Sequence, residues 1–479
     1  MKRSARDSFA GLAVLASLAA LAGCQTLADR LTPKGEPAGS PAAFRRSARD
    51  SATGAQTPMP EPGRWWRVFQ DPVLDSLVDR VEEANPEARA ALARVEQSYA
   101  VFGISRAARF PTLRGDASAS WSRDSLNNLL FPIDTTEYDR YRLGASAAWE
   151  IDLWGRVRGA AQRDRLRAEA ETASYEGVLL SLQANLARQY FAYRSAEAEL
   201  GILRDAVSVR KENLDLQQSR LELGAGIELD VSRSQVELET ARAAAEAADR
   251  SRGKLEHAIA ILVGVAPSEL GADLARRGAG APAPEMPSIP AGVPSTLLER
   301  RPDLRAAERN LRAAAVQVGV RRVDFLPKVT LTGSGGVASL SPGNLIGADS
   351  TLFDLGPQAD IPLFAGGGQG AAIRQAEAQW REAAAQYHGA LLNAVREVDD
   401  ALWELESLAR ERRAQREAVR SAATAAELSD LRYRQGLVSY LEFVDAERSR
   451  LQALRAENAL SGEYRAAVVR LIQALGGKW

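Results

Sequence analysis

The sequence predicts a mainly α-helical chain that carries a membrane β-barrel part. Three observations predict it. Two long tracts contain no proline, one between Pro132 and Pro267 and one after Pro362, and both are dominated by Ala, Glu, Arg, Leu and Gln, all strong helix formers. Four stretches outside these tracts alternate apolar and polar residues with period two, the signature of strands. The order of elements then occurs twice along the chain.

From the N-terminus, Lys2, Arg3 and Arg6 precede an apolar run from Phe9 to Leu21 that is short for a membrane span. The run closes on Leu21-Ala22-Gly23-Cys24, and Cys24 is the single cysteine of the 479 residues. This is the pattern of a bacterial lipoprotein signal. Residues 1–23 are expected to be removed, leaving a lipidated Cys24 as the new terminus. A thioether needs no second thiol, which explains a lone cysteine. Gln25, where an aspartate tends to retain such proteins at the inner membrane, favours the outer membrane. One lipid chain holds only marginally, so a second means of attachment is expected. Residues 24–63, rich in Pro, Gly, Ala and Ser, read as a lipidated, extended tether.

Asp71-Pro72 is a helix start, an acidic N-cap followed by proline at the first helical position. The helix should run to about residue 108 with an interruption near Asn85-Pro86. Each proline-free tract reads as a long helical hairpin: about 156–223 with 228–263, broken at Gly224 and Gly226, and about 369–435 with 439–475, broken at Gly436. Val157 to Leu223, if continuous, would span roughly 100 Å, which implies a coiled-coil-like bundle.

The strands are expected at about 111–122, 141–153, 327–338 and 352–363. Leu113, Ala117, Ala119 and Trp121 share a face opposite Arg114, Asp116 and Ser118. Leu143, Ala147, Trp149 and Ile151 oppose Arg142, Ser146, Glu150 and Asp152. Val329, Leu331 and Val337 oppose Lys328, Thr330 and Thr332, and Phe353, Leu355, Ile361 and Leu363 oppose Asp354, Gln358 and Asp360. A soluble half-buried sheet gives the same alternation. The length of the strands, and aromatics near their ends at Phe110, Trp121, Tyr141, Trp149, Trp154 and Phe364, point to a membrane instead. Four strands cannot close a barrel, and lipid does not tolerate open edges. The chain must therefore oligomerise; two copies with eight strands and three with twelve both satisfy the count.

The chain also carries an internal duplication. Pro86, Gly103 and Pro111 recur as Pro302, Gly319 and Pro327, all at an offset of 216 residues. Gly224, Leu229 and Asp230 face Gly436, Leu441 and Glu442, at an offset of 212. Residues 64–263 form the first repeat and 301–479 the second, with a Pro/Gly-rich linker over 264–300.

Other classes are excluded by composition. A formal net charge of −1 gives no basic field for nucleic acid. One cysteine excludes an internal disulfide and a cysteine-rich metal site. The two histidines, His257 and His388, stand far apart without metal-ligand spacing. No nucleophile, base and orienting group fall together, so neither an enzyme nor a bound cofactor or metal is expected. Arg410 to Glu417 reads as a solvated helix face.

The segments Trp65 to Val78, "WEIDLWGRVRG", "IPAGVPSTLLERRPDLRAAE", "IPLFAGGGQ", "YRQGLVSYLEFVDAERSRL" and the terminal "ALGGKW" span most of the mature chain. In this order they resemble the TolC-like outer membrane factors, in their lipoprotein (NodT or OprM-type) branch. The resemblance implies a homotrimer in which four strands per protomer complete a twelve-stranded barrel, continued by a long periplasmic α-helical barrel. It implies the exit duct of a tripartite efflux pump of the RND type, joined through a periplasmic adaptor protein to an inner-membrane transporter, and contacting outer-membrane lipid. It places the constriction at the hairpin tips, on Glu442 and Asp445, three apart on one helix face, with Leu441 adding an apolar ring. Three copies would gather up to six carboxylates, which attract cations. Arg432, Tyr433 and Arg434 would lock the closed tips, and the tips at Gly224 and Gly436 would meet the adaptor. At the strand-to-helix junctions Gly155 and Gly366, Gly367 and Gly368 give the backbone freedom to turn. The alternatives are the exit duct of a type I protein secretion system and, in a different class, a lipid-anchored periplasmic coiled-coil scaffold.

Overall fold

The structure, a computed structural model, describes residues 26–33, 63–123, 125, 137–274 and 300–477. The signal segment, Cys24, most of the tether and most of the linker between the repeats lie outside the described residues. The helices are α1 (Leu27–Leu31), α2 (Pro72–Ala84), α3 (Pro86–Ala107), α4 (Arg156–Glu222), α5 (Glu228–Val263), α6 (Pro267–Leu274), α7 (Pro302–Val323), α8 (Gly368–Arg434) and α9 (Tyr440–Ala474). The strands are β1 (Thr112–Arg123), β2 (Glu137–Ile151), β3 (Lys328–Ser339) and β4 (Thr351–Asp360). Helix α4 and helix α8 each run 67 residues without a break.

The chain divides into two compact units that cut across the two sequence repeats, since each unit takes segments from both. The first comprises, among the described residues, 26–33, 95–123, 125, 137–171 and 307–387. It holds the four-stranded antiparallel sheet, in the order β1-β2-β3-β4. Leu113 pairs with Ala147, Ala147 with Gly333, and Gly333 with Leu355. On the other parity Arg114 pairs with Ser146, Ser146 with Ser334, and Ser334 with Asp354. The register thus keeps every apolar row on one face of all four strands, because a one-residue slip would move a strand's whole apolar set across. That face is bare: Phe353 is 89%, Leu113 77% and Trp121 71% exposed. Among the described residues β1 and β4 each pair on one side only.

Three expectations need correction. Within the predicted extended tether, residues 27–31 are helical, because Thr26 and Asp29 form a capping box: the Thr26 hydroxyl accepts from the Asp29 amide at 3.2 Å while the Asp29 carboxylate accepts from the Thr26 amide at 3.1 Å. Strand β2 starts at Glu137, four residues before Tyr141, where it pairs with the full length of β1. Strand β4 ends at Asp360, so Ile361 and Leu363 fall outside it. Pro362 has no amide to extend the ladder.

The second unit comprises 63–94, 172–274, 300–306 and 388–477 among the described residues. Its core gathers Trp65, Phe69, Leu74, Leu77, Leu186, Tyr190, Phe191, Ile259 and Ile472, all buried. Asp71 caps α2, accepting from the amides of Val73 and Leu74 at 3.1 and 3.4 Å, and also accepts from the Tyr190 hydroxyl at 2.8 Å. The predicted break falls at Asn85, whose side-chain Oδ1 accepts from the backbone amides of Glu87 and Ala88 and so caps α3, while its side-chain Nδ2 donates to the Leu262 carbonyl at 2.8 Å. The Arg-Pro-Asp-Leu-Arg segment has a structural role. Buried Arg301 pairs with Asp303 at 2.8 Å, donates to the Ala474 carbonyl at 2.9 Å and pairs with Glu397 at 2.7 Å, tying the start of α7 to α8 and α9.

Candidate functional site at the hairpin tips

Both hairpins turn in the same way. Gly436 lies at φ +73° and its amide donates to the Tyr433 carbonyl at 3.0 Å, while Leu437 donates to the Arg432 carbonyl at 2.9 Å. Gly224, at φ +71°, donates to Leu221 at 3.0 Å, and Ala225 to Arg220 at 2.8 Å. This paired closure of a helix end needs a left-handed residue, which glycine adopts without a Cβ penalty. The return helix α9 starts on Ser439, whose hydroxyl accepts from the Glu442 amide at 3.3 Å. Helix α5 starts on Ile227, which has no side-chain cap.

The register of α9 after its cap sets which side chains face out. Tyr440, Phe443 and Val444 turn inward and pack with Tyr433 as a separate apolar cluster. Leu441 and Glu442, between them in sequence, and Asp445, just after them, are exposed. Period 3.6 makes this partition inevitable once Tyr440, Phe443 and Val444 are buried. The Glu442 and Asp445 carboxylates therefore share the solvent face, and Leu441 stands beside them, 46% exposed. Hydrophobic side chains remain open around both turns, among them Leu223, Ile227, Leu229 and Leu437.

Polar links join the two hairpins behind that face. The Tyr433 hydroxyl accepts from Gln217 Nε2 at 2.8 Å and from Arg220 Nη1 at 2.7 Å. The Arg220 guanidinium also lies over the Tyr433 ring at 4.8 Å, and Tyr433 stacks on Phe443 at 5.4 Å and 17°. The hydroxyls of Ser234 and Tyr440 are 2.6 Å apart. Burial pushes the Tyr440 phenol above its ordinary pKa, against the Ser234 bond, which lowers it. Farther along, Glu237, largely buried, pairs with Arg210 at 3.1 Å and accepts from Arg448 Nε at 3.0 Å.

Of the three tip residues Arg432, Tyr433 and Arg434, the structure connects one to the other hairpin. Tyr433 is buried; Arg432 is exposed; Arg434 pairs within its own helix, with Asp430 at 2.9 Å. An odd residue at a helix end faces inward or outward according to the turn that follows, which spacing alone does not reveal. Gln217, Arg220, Ser234, Glu237 and Arg448 escaped the sequence reading. Each is a common helix-surface residue; the legible signals were the pair of tyrosines flanking Gly436 and the spacing of three between Asp445 and Arg448.

At the junctions in the first unit, Gly155, Gly366 and Gly367 all have positive φ, at +83°, +56° and +80°, whereas Gly368 is the first residue of α8. Gly155 is also a point of close approach: a β-carbon there would lie 2.5 Å from Thr26 Cβ. The Ala28 amide donates to the Trp154 carbonyl at 3.1 Å, and Arg322 donates to the Leu31 carbonyl at 2.8 Å. The short helix α1 is thus strapped onto the junction. Among the described residues no group of His, Cys, Asp or Glu has the arrangement of a metal site.

Comparison with known proteins agrees with this architecture. The family model for outer membrane efflux proteins matches residues 77–265 and again 293–477, once in each half. The toluene efflux pump outer membrane protein TtgI of Pseudomonas putida is 32% identical over 415 residues, covering 86% of each chain. The cation efflux system protein CusC of Escherichia coli is 27% identical over 415 residues, 87% of this chain and 88% of its own. Among solved structures, the open state of the MtrE outer membrane channel of Neisseria gonorrhoeae superimposes with a TM-score of 0.80 at 27% identity, over 93% of this chain and 97% of that one. A four-stranded sheet with one apolar face, two helices of 67 residues, and a match to such channels along nearly the whole chain have one consistent assignment: the chain belongs to the outer membrane efflux protein family.

Proposed function

We propose that the chain is the outer-membrane exit duct of a tripartite efflux pump. Three copies join β1 of one sheet to β4 of the next, and the hairpins continue the duct into the periplasm. An adaptor protein at the tips around Gly224 and Gly436 links it to an inner-membrane RND-type transporter, and a lipid on Cys24 supplies a second hold on the membrane. Glu442 and Asp445 narrow the path, with Leu441 as an apolar collar, and the Tyr433 contacts hold the tips closed. The duct itself does no chemistry; the transporter supplies the energy.

The observation that carries the reading is the sheet. It has one continuous apolar face that is exposed, and two edges without partners among the described residues. In water such a sheet aggregates; in lipid its backbone groups must all be paired, which only closure with further copies supplies. The aromatic positions agree. Trp149 lies one row beyond the Thr112–Ala148 pair, so its row is ten residues from Trp121. That is about 33 Å along a strand, or about 25 Å across a membrane at the usual tilt. The sheet therefore has the height of an outer-membrane apolar band.

The test is single-channel conductance in planar bilayers, comparing purified full-length protein with a Glu442→Ala, Asp445→Ala double variant after trimer formation has been checked by heat-modifiable mobility. Small cation-selective currents that grow or lose selectivity in the variant are expected. Identical currents would keep the channel and remove the acidic constriction. Verified trimers that conduct nothing would overturn the duct.

A further inference from the structure

An ion-pair cluster lies behind Asp445. Helix α5 contributes Glu237, whose side chain is 10% exposed. Its carboxylate meets two arginines from two other helices. Arg210 of α4 approaches Oε2 with Nη2 at 3.1 Å and donates from Nη1 to the Glu237 carbonyl at 3.0 Å. Arg448 of α9 donates Nε to Oε1 at 3.0 Å and brings Nη2 to the same oxygen. One buried carboxylate thus faces two guanidiniums, and the cluster holds a surplus positive charge. The remaining nitrogen of Arg448, Nη1, is 3.6 Å from Asp445 Oδ1.

We infer that Arg448, aimed by Glu237, sets the cation preference of the constriction by offsetting part of the charge of Asp445. This rests on the reading that Asp445 borders the conducting path. The side chains of Arg448 and Asp445 are 54% and 62% exposed, so both charges reach the water beside them. Glu237 fixes the guanidinium through Nε and Nη2, and leaves Nη1 as the edge that Asp445 meets. An arginine keeps its charge at any working pH, and the hydrogen bond that Arg448 donates to Glu237 raises its pKa further, against burial. Arg233, which shares a cavity wall with Glu237, Leu441 and Arg448, is engaged with Asp230 at 3.7 Å, and Glu447 pairs with Arg450 at 3.0 Å. The acidic ring is therefore weaker than a count of carboxylates suggests. Arg448 thus attenuates the field of Asp445, in a protein whose selectivity would otherwise be set by bare acids.

The experiment is the reversal potential of full-length trimers under a potassium chloride gradient, for the parent, Arg448→Gln, Arg448→Lys, Asp445→Asn and the Arg448→Gln, Asp445→Asn double variant. Trimer formation is verified for each. Arg448→Gln is expected to raise the potassium-over-chloride permeability ratio about threefold, the size of effect a unit charge a few ångströms away exerts in water after salt screening. Arg448→Lys, which keeps the charge, should restore most of the parent ratio. In the Asp445→Asn background Arg448→Gln should again raise the ratio by a similar factor, because the fields of the two exposed charges add. A merely structural role for Arg448 would widen the pore and lower selectivity whichever side chain stands at 445. If Asp445→Asn itself leaves the ratio at the parent value, the constriction reading fails. If Asp445→Asn lowers the ratio while Arg448→Gln leaves it unmoved or lowers it, the constriction stands and the attenuation is overturned.

Discussion

Replacing Tyr433 by phenylalanine removes one oxygen atom and isolates the polar part of the contact between the hairpins. The ring keeps its stacking on Phe443 and its place under the Arg220 guanidinium. What is lost is the acceptor for Gln217 Nε2 at 2.8 Å and Arg220 Nη1 at 2.7 Å, and the donor to Gln217 Oε1 at 3.1 Å. The Gln217 residue is 2% exposed, so its amide cannot recover a water. Leaving a buried amide short of partners costs about 1–3 kcal/mol, and the half-buried Arg220 regains solvent for less. The sum is roughly 2 kcal/mol per protomer, which is about a thirtyfold rise in the open fraction of the tip contact. Amide hydrogen exchange, followed by mass spectrometry on the detergent-solubilised protein, reads that fraction directly where opening is fast and reversible. Segments covering 428–445 should exchange about thirtyfold faster in Tyr433→Phe, and faster again in Tyr433→Ala, which also loses the ring packing at about 3–5 kcal/mol. Segments of the distant core around Tyr190 should keep the parent rate. Exchange at 428–445 within twofold of the parent in the phenylalanine variant would refute the argument, because the hydroxyl would then contribute nothing net to holding the hairpins together.

Three further outcomes follow from the same geometry. Gly155→Ala puts a β-carbon at φ +83° and 2.5 Å from Thr26 Cβ, so thermal unfolding should shift down by the equivalent of about 1–3 kcal/mol; an unchanged midpoint would mean that α1 does not dock there. Arg301→Met leaves Glu397 and the Ala474 carbonyl without their buried partner and should cost about 3 kcal/mol in denaturant unfolding, with Arg301→Lys recovering only part, since an ammonium cannot reproduce the fork. The raised Tyr440 phenol keeps its proton in the folded tip at a pH where the unfolded residue has ionised. The unfolded state then binds fewer protons, so stability is full below about pH 10 and falls as pH rises from there through the folded value. Tyr440→Phe should flatten that part of the pH–stability curve, and a parent and variant that fall together between pH 9 and 11 would contradict it.

The sequence by itself determined the elements. Proline placement and residue type set the four long helices to within a residue or two at most ends, since a proline-free run of good helix formers has no competing structure. The alternation of Leu113 to Trp121 and its three counterparts marked the strands and which residues share a face, because the side-chain period of a strand is two whatever it pairs with. Glycines at 155, 224, 366, 367 and 436 were legible as turning points because few other residues tolerate a positive φ. The acidic pair Glu442 and Asp445 was legible as a shared helix face, and Arg448, three residues beyond Asp445, obeys the same spacing, but its engagement with Glu237 was not legible. Tertiary structure alone decided the partners. The strand order joining β2 of one repeat to β3 of the other, the strap of α1 on Trp154, the choice of Tyr433 over its neighbouring arginines, and the sharing of Arg448 between Glu237 and Asp445 all join residues remote in the chain or depend on which way a helix end turns. Local propensity acts over a few residues and specifies an element. A contact between residues some two hundred positions apart, such as Gln217 with Tyr433 or Glu237 with Arg448, exists only once two separately specified helices have been brought to one register.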